Sequence, residues 1–320
     1  MPSPLRTAVR TSIACALSLA ALSATSSAQN PKHAVHMEVV HGKPYVMVTI
    51  NGRGPFRFVV DTGTGGQAFI RPALADQLQL PAIGQARLVD PSGQGEQRAQ
   101  VLYIQSLDLA GVEFADVRAL RHDLAGEDET CMGLLGFTLF RDYLLTLDYP
   151  NHSLALTEGN ITPDGEQSVL PFRMPDGVPI APLHIGGERV EAQLDSGGVG
   201  LTLPEQLARQ LKFISTPVVY ANGESLATRF ELKAARLGAD VHIGRYRFVN
   251  PVVEIHPAFP LVNLGACPMQ NFAVTFDQKN QLVRFDSEHE ILHLDSMPTS
   301  MRMQNAPASR PPDLALVPVG

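Results

Sequence analysis

Two aspartates carry the chemistry that this chain can do. Asp61 and Asp195 each close an apolar run and precede a small hydroxyl residue and a glycine, as Val59-Val60-Asp61-Thr62-Gly63 and Gln193-Leu194-Asp195-Ser196-Gly197. A carboxylate at the end of an apolar strand is stripped of water, which is costly unless something compensates. A chain that does this twice, in matching surroundings, brings the two carboxylates together. Two carboxyl groups about 3 Å apart cannot both ionise and share one proton. The ionised member can then act as general base on a water held between them, while the protonated member polarises a carbonyl. Glycine two places after each aspartate lets the backbone turn sharply and pass close to the carboxylate.

The surroundings of the two aspartates repeat. Upstream of each, an apolar strand enters a turn former: Tyr45-Val46-Met47-Val48-Thr49-Ile50 before Asn51-Gly52, and Ala181-Pro182-Leu183-His184-Ile185 before Gly186-Gly187. Asn-Gly and Gly-Gly supply positive φ, so each unit is expected to begin as a hairpin leading into its aspartate strand. Downstream, Phe69-Ile70-Arg71-Pro72 with Leu74 and Leu78 parallels Leu201-Thr202-Leu203-Pro204 with Leu207 and Leu211. Proline suits the first turn of a helix and the leucines recur at helical spacing, which predicts one short helix per unit. Asp108–Phe114 parallels Val241–Phe248. Leu135-Gly136 and Leu264-Gly265 are each followed at the same distance by Thr146-Leu147-Asp148 and Thr275-Phe276-Asp277, then by closing strands at Leu154–Leu156 and Leu282–Phe285. Five landmarks in one order predict an all-β chain of two homologous units, residues 36–160 and 168–287.

On these residues the chain resembles the retropepsin-like and pepsin-like aspartic proteases. The resemblance rests on Asp61-Thr62-Gly63, on the later Leu135-Gly136, and on the closing stretch from Phe137 through Asp148-Tyr149-Pro150-Asn151. It implies two β-barrel-like lobes with a short helix in each, fused in one chain with an internal pseudo-two-fold, and a monomer. It implies an endopeptidase acting on a peptide or protein substrate, with Asp61 and Asp195 catalytic and no cofactor or metal. Thr62 and Ser196 would bond across the lobe interface. Flaps would close over the substrate, with a tip at Asp90–Gly95, including Ser92 and Gly93, and another at Ala221–Glu224, including Asn222 and Gly223 after Tyr220. Two features depart from the family pattern. Thr64-Gly65-Gly66 and Gly198-Val199-Gly200 stand where Ala or Ser is usual, which is expected to remove a hydroxyl that bonds an aspartate, and Asn263 stands where the first unit has Leu134. A binding module that keeps the cleft but hydrolyses weakly is the rival reading.

The remaining sequence narrows the setting. Arg6 and Arg10 precede a short apolar run, Ser12–Leu22, and Ser26-Ser27-Ala28 offers small residues for cleavage. Residues 1–28 are therefore expected to be a signal peptide, with the mature protein periplasmic or secreted and outside the membrane. A formal net charge of -7, with no basic run beyond the first residues, speaks against nucleic acid as a partner. An oxidising compartment would permit a disulfide between Cys131 and Cys267, and two buried thiols are the alternative. His289-Glu290-Ile291-Leu292-His293 fits H-E-x-x-H, which on a helix would hold zinc. No later Glu or His offers the third ligand such a site needs, so residues 288–320 are expected to be a short helix and a Pro-rich tail.

Overall fold

The computed structural model describes residues 33–89, 96–124, 127–224 and 229–296. The two turns expected upstream of the aspartates form as predicted. Asn51 and Gly52 both take positive φ between the strands Lys43–Ile50 and Arg53–Asp61. Gly186 and Gly187 do the same between Ile180–Ile185 and Glu188–Leu194. Positive φ at both central residues gives a turn whose twist matches that of the paired strands.

Each half then builds a curled mixed sheet in which seven strands follow the same order. In the first half the hairpin Ala82–Val89 and Glu96–Leu109 continues through Val112–Arg121, Ala68–Ile70 and Gly133–Gly136 to Arg53–Asp61, then to Lys43–Ile50 and Glu38–Val40. Glu96–Leu109 is long enough to bend round and pair with Lys43–Ile50 as well, at Thr49 opposite Asp108, which curls the sheet back on itself. In the second half Val218–Glu224 and Arg229–Arg236 continue through Val252–His256, Leu201–Pro204 and Val262–Leu264 to Glu188–Leu194 and Ile180–Ile185, then to Val241–Ile243 and Tyr246–Phe248. Here breaks at residues 237–240 and 249–251 each divide in two a strand that runs unbroken in the first half, as Glu96–Leu109 and Val112–Arg121. The helices Pro72–Leu78 and Glu205–Ala208 follow their strands where the Pro-initiated leucine pattern puts them. The fold is all-β, barrel-like and of the retropepsin type.

A third sheet joins the halves. Its order is His33–His36, Ser153–Thr157, Leu144–Asp148, Ala273–Asp277, Leu282–Asp286 and Val169–Pro171. The two middle strands are the repeated Thr-x-Asp strands, and Thr146 lies directly opposite Thr275. The two threonine hydroxyls meet there at 3.0 Å. Phe137 and Phe172 each pack edge to face against Phe276 of this sheet, as Tyr246 and Phe285 do against Phe272. A single apolar core runs through these rings from one half to the other.

The stretch around H-E-x-x-H corrects an expectation. It is extended, not helical: Ile291–Leu292 forms a short strand alongside Tyr246–Phe248, and its flanks accept Arg247 N–H at Glu290 and Val249 N–H at Leu292. Leu292 is buried and Ile291 exposed, an alternation that serves a strand and not a helix face. In an extended chain His289 and His293 stand four residues, roughly 13 Å, apart, and no group of three possible metal ligands occurs among the described residues. Residues 297–320, and the expected signal peptide at 1–28, lie outside the described residues. No described helix is long and apolar enough to cross a membrane.

Candidate active site

Both aspartates leave their strands at the same point of the fold. Arg53–Asp61 runs parallel to Gly133–Gly136, with Asp61 opposite Gly136. Glu188–Leu194 runs parallel to Val262–Leu264, and the next residue, Asp195, donates its N–H to Leu264 O at 2.9 Å. Each chain then turns back on its own carboxylate. Asp61 Oδ1 accepts Gly63 N–H at 2.8 Å, and Asp195 Oδ1 accepts Gly197 N–H at 3.0 Å and Gly198 N–H at 2.8 Å.

The two loops are locked together by the predicted hydroxyls. Thr62 Oγ1 donates to Leu194 O at 2.7 Å and accepts Ser196 N–H at 2.9 Å. Ser196 Oγ donates to Val60 O at 2.7 Å and accepts Thr62 N–H at 3.0 Å. Both residues are fully buried, so four backbone groups that would otherwise lack partners are satisfied across the junction. The glycines have a reason that the sequence could not supply. A methyl group on Gly63 would sit 2.4 Å from Asp195 Cγ, and one on Gly197 would sit 2.3 Å from Asp61 Cγ. Each glycine is thus seated against the carboxyl group of the other half.

This packing sets each carboxyl group against the glycine that follows the other aspartate, and so brings the two carboxyl groups close together. Asp61 is held well above the usual carboxylate range, first by burial and then by the neighbouring charge of Asp195, against the opposing pull of the Thr64 hydroxyl and Lys43. Two adjacent carboxyl groups that share one proton can serve together as acid and base. Residues 46–139 match a family model described as Aspartyl protease. The match supports an aspartyl protease family. No curated protein matches the chain. The matched segment holds Asp61, Thr62 and Gly63, whereas Asp195, Ser196 and Gly197 lie beyond it and are brought to the same place by the repeat.

The expected loss of a hydroxyl is corrected in one loop and replaced in the other. Thr64 Oγ1 donates to Asp61 Oδ2 at 3.0 Å, so the first loop keeps a hydroxyl. In the second loop Gly198 has none, and Asn263 Nδ2 donates to Asp195 Oδ2 at 2.8 Å. Asn263 therefore belongs to the site, although the sequence shows it only as a departure from Leu134.

The same contrast extends along the sheets. On the face that carries Asp61, Val59, Leu134 and Phe69 adjoin across neighbouring strands and pack with Tyr45, Leu124 and Cys131 in a small apolar cluster. In the second half the equivalent row is Gln193, Asn263, Thr202 and Glu254. Gln193 Nε2 reaches across to Gly63 O at 3.1 Å. Glu254 is buried and accepts the Thr202 hydroxyl at 2.6 Å and the Tyr220 hydroxyl at 2.9 Å. Burial raises its carboxyl above the usual range, against the pull of those two donors. Tyr149 also faces the pair; its hydroxyl is buried, has no hydrogen-bond partner among the described residues, and is pushed up by burial and by Asp195. Glu254, Gln193 and Tyr149 were not singled out from the sequence for chemistry, because polar residues on a strand carry no signal until the register is known.

The hairpins expected as flaps divide. In the first half the paired arms end at Val89 and resume at Glu96, so the expected tip, with Ser92 and Gly93, lies outside the described residues. In the second half the residues expected at the tip lie in a paired arm. Asn222 and Gly223 lie within the paired arm, opposite Glu231 and Phe230, and the ladder continues to Glu224 opposite Arg229. Tyr220 lies on this arm and is tied to Glu254. Cys131 and Cys267 are both free thiols, the first buried and the second half-buried, and no disulfide links them.

Proposed function

We propose that this protein is an aspartic endopeptidase made of two fused retropepsin-like units, each contributing one catalytic aspartate. The observation that carries this reading is the reciprocal Thr62–Ser196 lock, which seats the Asp61 and Asp195 carboxyl groups side by side between Gly63 and Gly197. In this reading a water held between the carboxyl groups is activated by the ionised one and attacks the scissile carbonyl, which the protonated one polarises. The single chain supplies both aspartates, so the enzyme acts as a monomer. Residues 1–28 direct export, to the periplasm or beyond, and N-terminal sequencing of the exported protein would show whether they are removed.

The test is hydrolysis of an unbiased peptide mixture at acid to mildly acidic pH, with and without a transition-state inhibitor of aspartic proteases. Asp61→Asn and Asp195→Asn should each abolish nearly all turnover, and the double variant should be little worse, because the two groups act as a unit. A single variant that keeps a near wild-type rate would overturn the two-carboxylate mechanism. Negligible hydrolysis by the unaltered protein, with peptide binding intact, would favour the binding module.

A further inference from the structure

We propose that Asn263 is a positioning residue that makes Asp195 the ionised member of the pair and leaves the shared proton on Asp61. The inference rests on the aspartic-peptidase reading and adds to it a division of labour: Asp195 as the base and Asp61 as the acid.

The donors are distributed unequally. Asp195 accepts three N–H groups: two backbone amides at Oδ1 and the Asn263 amide at Oδ2. Asp61 accepts one backbone amide at Oδ1 and the Thr64 hydroxyl at Oδ2. A hydroxyl can rotate to accept a proton from a carboxylic acid, whereas the amide N–H groups around Asp195 can only donate. Donors to a carboxylate favour its charged form. The carboxyl with three fixed donors is therefore the better seat for the negative charge.

Asn263 is suited to this by position. Its counterpart in the first half is Leu134, and its neighbours across the strands are Gln193 and Thr202. It is only 6 % exposed, and its Oδ1 has no hydrogen-bond partner among the described residues. Burying an amide with one arm unsatisfied is costly, and a leucine would avoid that cost, as Leu134 does. The compensation here is the bond to Asp195. Gly198 completes the exchange. A methyl group at that position would lie 2.7 Å from Asn263 Nδ2 and 2.7 Å from Asp195 Oδ2, so the loop has no room for the hydroxyl residue that the first half carries as Thr64. Hydroxyl with leucine in one half is replaced by glycine with asparagine in the other.

Several other ionisable groups face the pair. Lys43, on the strand Lys43–Ile50, favours a charge on Asp61 and so opposes the assignment. Tyr149, after the strand Leu144–Asp148, faces Asp195 and Cys267, and Cys267 in turn senses Glu254. Asn263 gives its amide N–H to Asp195, so substitution at that position removes that donor.

The test is the pH profile of kcat/KM for Asn263→Leu and Asn263→Ala beside the unaltered enzyme, with thermal melting to confirm folding. If Asp195 holds the charge, losing its donor raises the pH at which that charge is neutralised. The acid limb should move up by about one pH unit, a tenfold change in proton affinity, while the alkaline limb stays, so the bell narrows. If the charge sat on Asp61 instead, the alkaline limb would move and the acid limb would not. That result, or profiles that coincide at both limbs, would overturn the inference. Carbon-13 NMR titration of the Asp61 and Asp195 carboxyl groups reads the same assignment without turnover. It therefore separates failure of this inference from failure of the peptidase reading, which would appear as absent hydrolysis by the unaltered protein. Unchanged titration of Asp195 in both variants would likewise overturn it.

Discussion

The lock between Thr62 and Ser196 makes a quantitative prediction. Thr62→Val keeps the shape of the side chain but removes a hydroxyl that serves Leu194 O at 2.7 Å and Ser196 N–H at 2.9 Å. Both stranded groups are buried in the junction, so no water replaces the lost partner. A buried backbone group left unsatisfied costs roughly 1–3 kcal/mol, and two of them cost roughly 2–6 kcal/mol. The methyl group that replaces the hydroxyl recovers about 0.8 kcal/mol through its own burial. A net loss of about 1–5 kcal/mol should remain, which is a substantial part of the 5–15 kcal/mol total stability typical of a folded protein. Ser196→Ala strands Val60 O and Thr62 N–H in the mirror position and should cost a similar amount. Each hydroxyl bonds only to the backbone of the other loop, so no single bond is counted in both losses. The assay is urea unfolding of each variant, with the slope compared to exclude a change in the surface exposed. A loss below about 1 kcal/mol in both variants would refute the claim that these hydroxyls fasten the halves. A large loss in only one would refute the equivalence of the two sides.

Two further outcomes follow from the same geometry. Asp61 and Glu254 both bind their protons more tightly in the folded state than in the unfolded chain, so each makes stability fall as pH rises from the ordinary carboxylate range through its folded value. Melting temperature should therefore decline from about pH 5 upward; Asp61→Asn and Glu254→Gln should each flatten part of that decline, and a melting temperature insensitive to pH in the unaltered protein would contradict it. Gly197→Ala would press a methyl group against Asp61 Cγ, 2.3 Å away. It should cut kcat at least 100-fold, since displacing a reacting group by about 1 Å has that effect, and an active Gly197→Ala enzyme would mean that the two loops do not approach as described.

Much of this molecule is legible in the sequence because its information is local and repeated. Asn51-Gly52 and Gly186-Gly187 specify their turns through backbone freedom alone, and Pro72 and Pro204 mark the helix starts through a fixed φ. The apolar runs that end in Asp61 and Asp195 announce buried carboxylates, and the repeat of all these features predicts their meeting. Registers of distant strands are another matter. Asn263 is 68 residues from Asp195 in the chain, and only the pairing of Val262–Leu264 with Glu188–Leu194 places its amide on the carboxylate. Glu254 looks like any polar strand residue until Leu201–Pro204 sets Thr202 beside it. The H-E-x-x-H motif misleads for the complementary reason: a helical pattern of five residues yields to a neighbouring strand with free backbone groups to pair. Local backbone preference is written in adjacent residues, so the sequence by itself determined the turns, the repeat and the identity of the two aspartates. The asymmetry between those aspartates depends on which side chain from a remote strand reaches each carboxyl oxygen, and that is decided only when the sheets assemble.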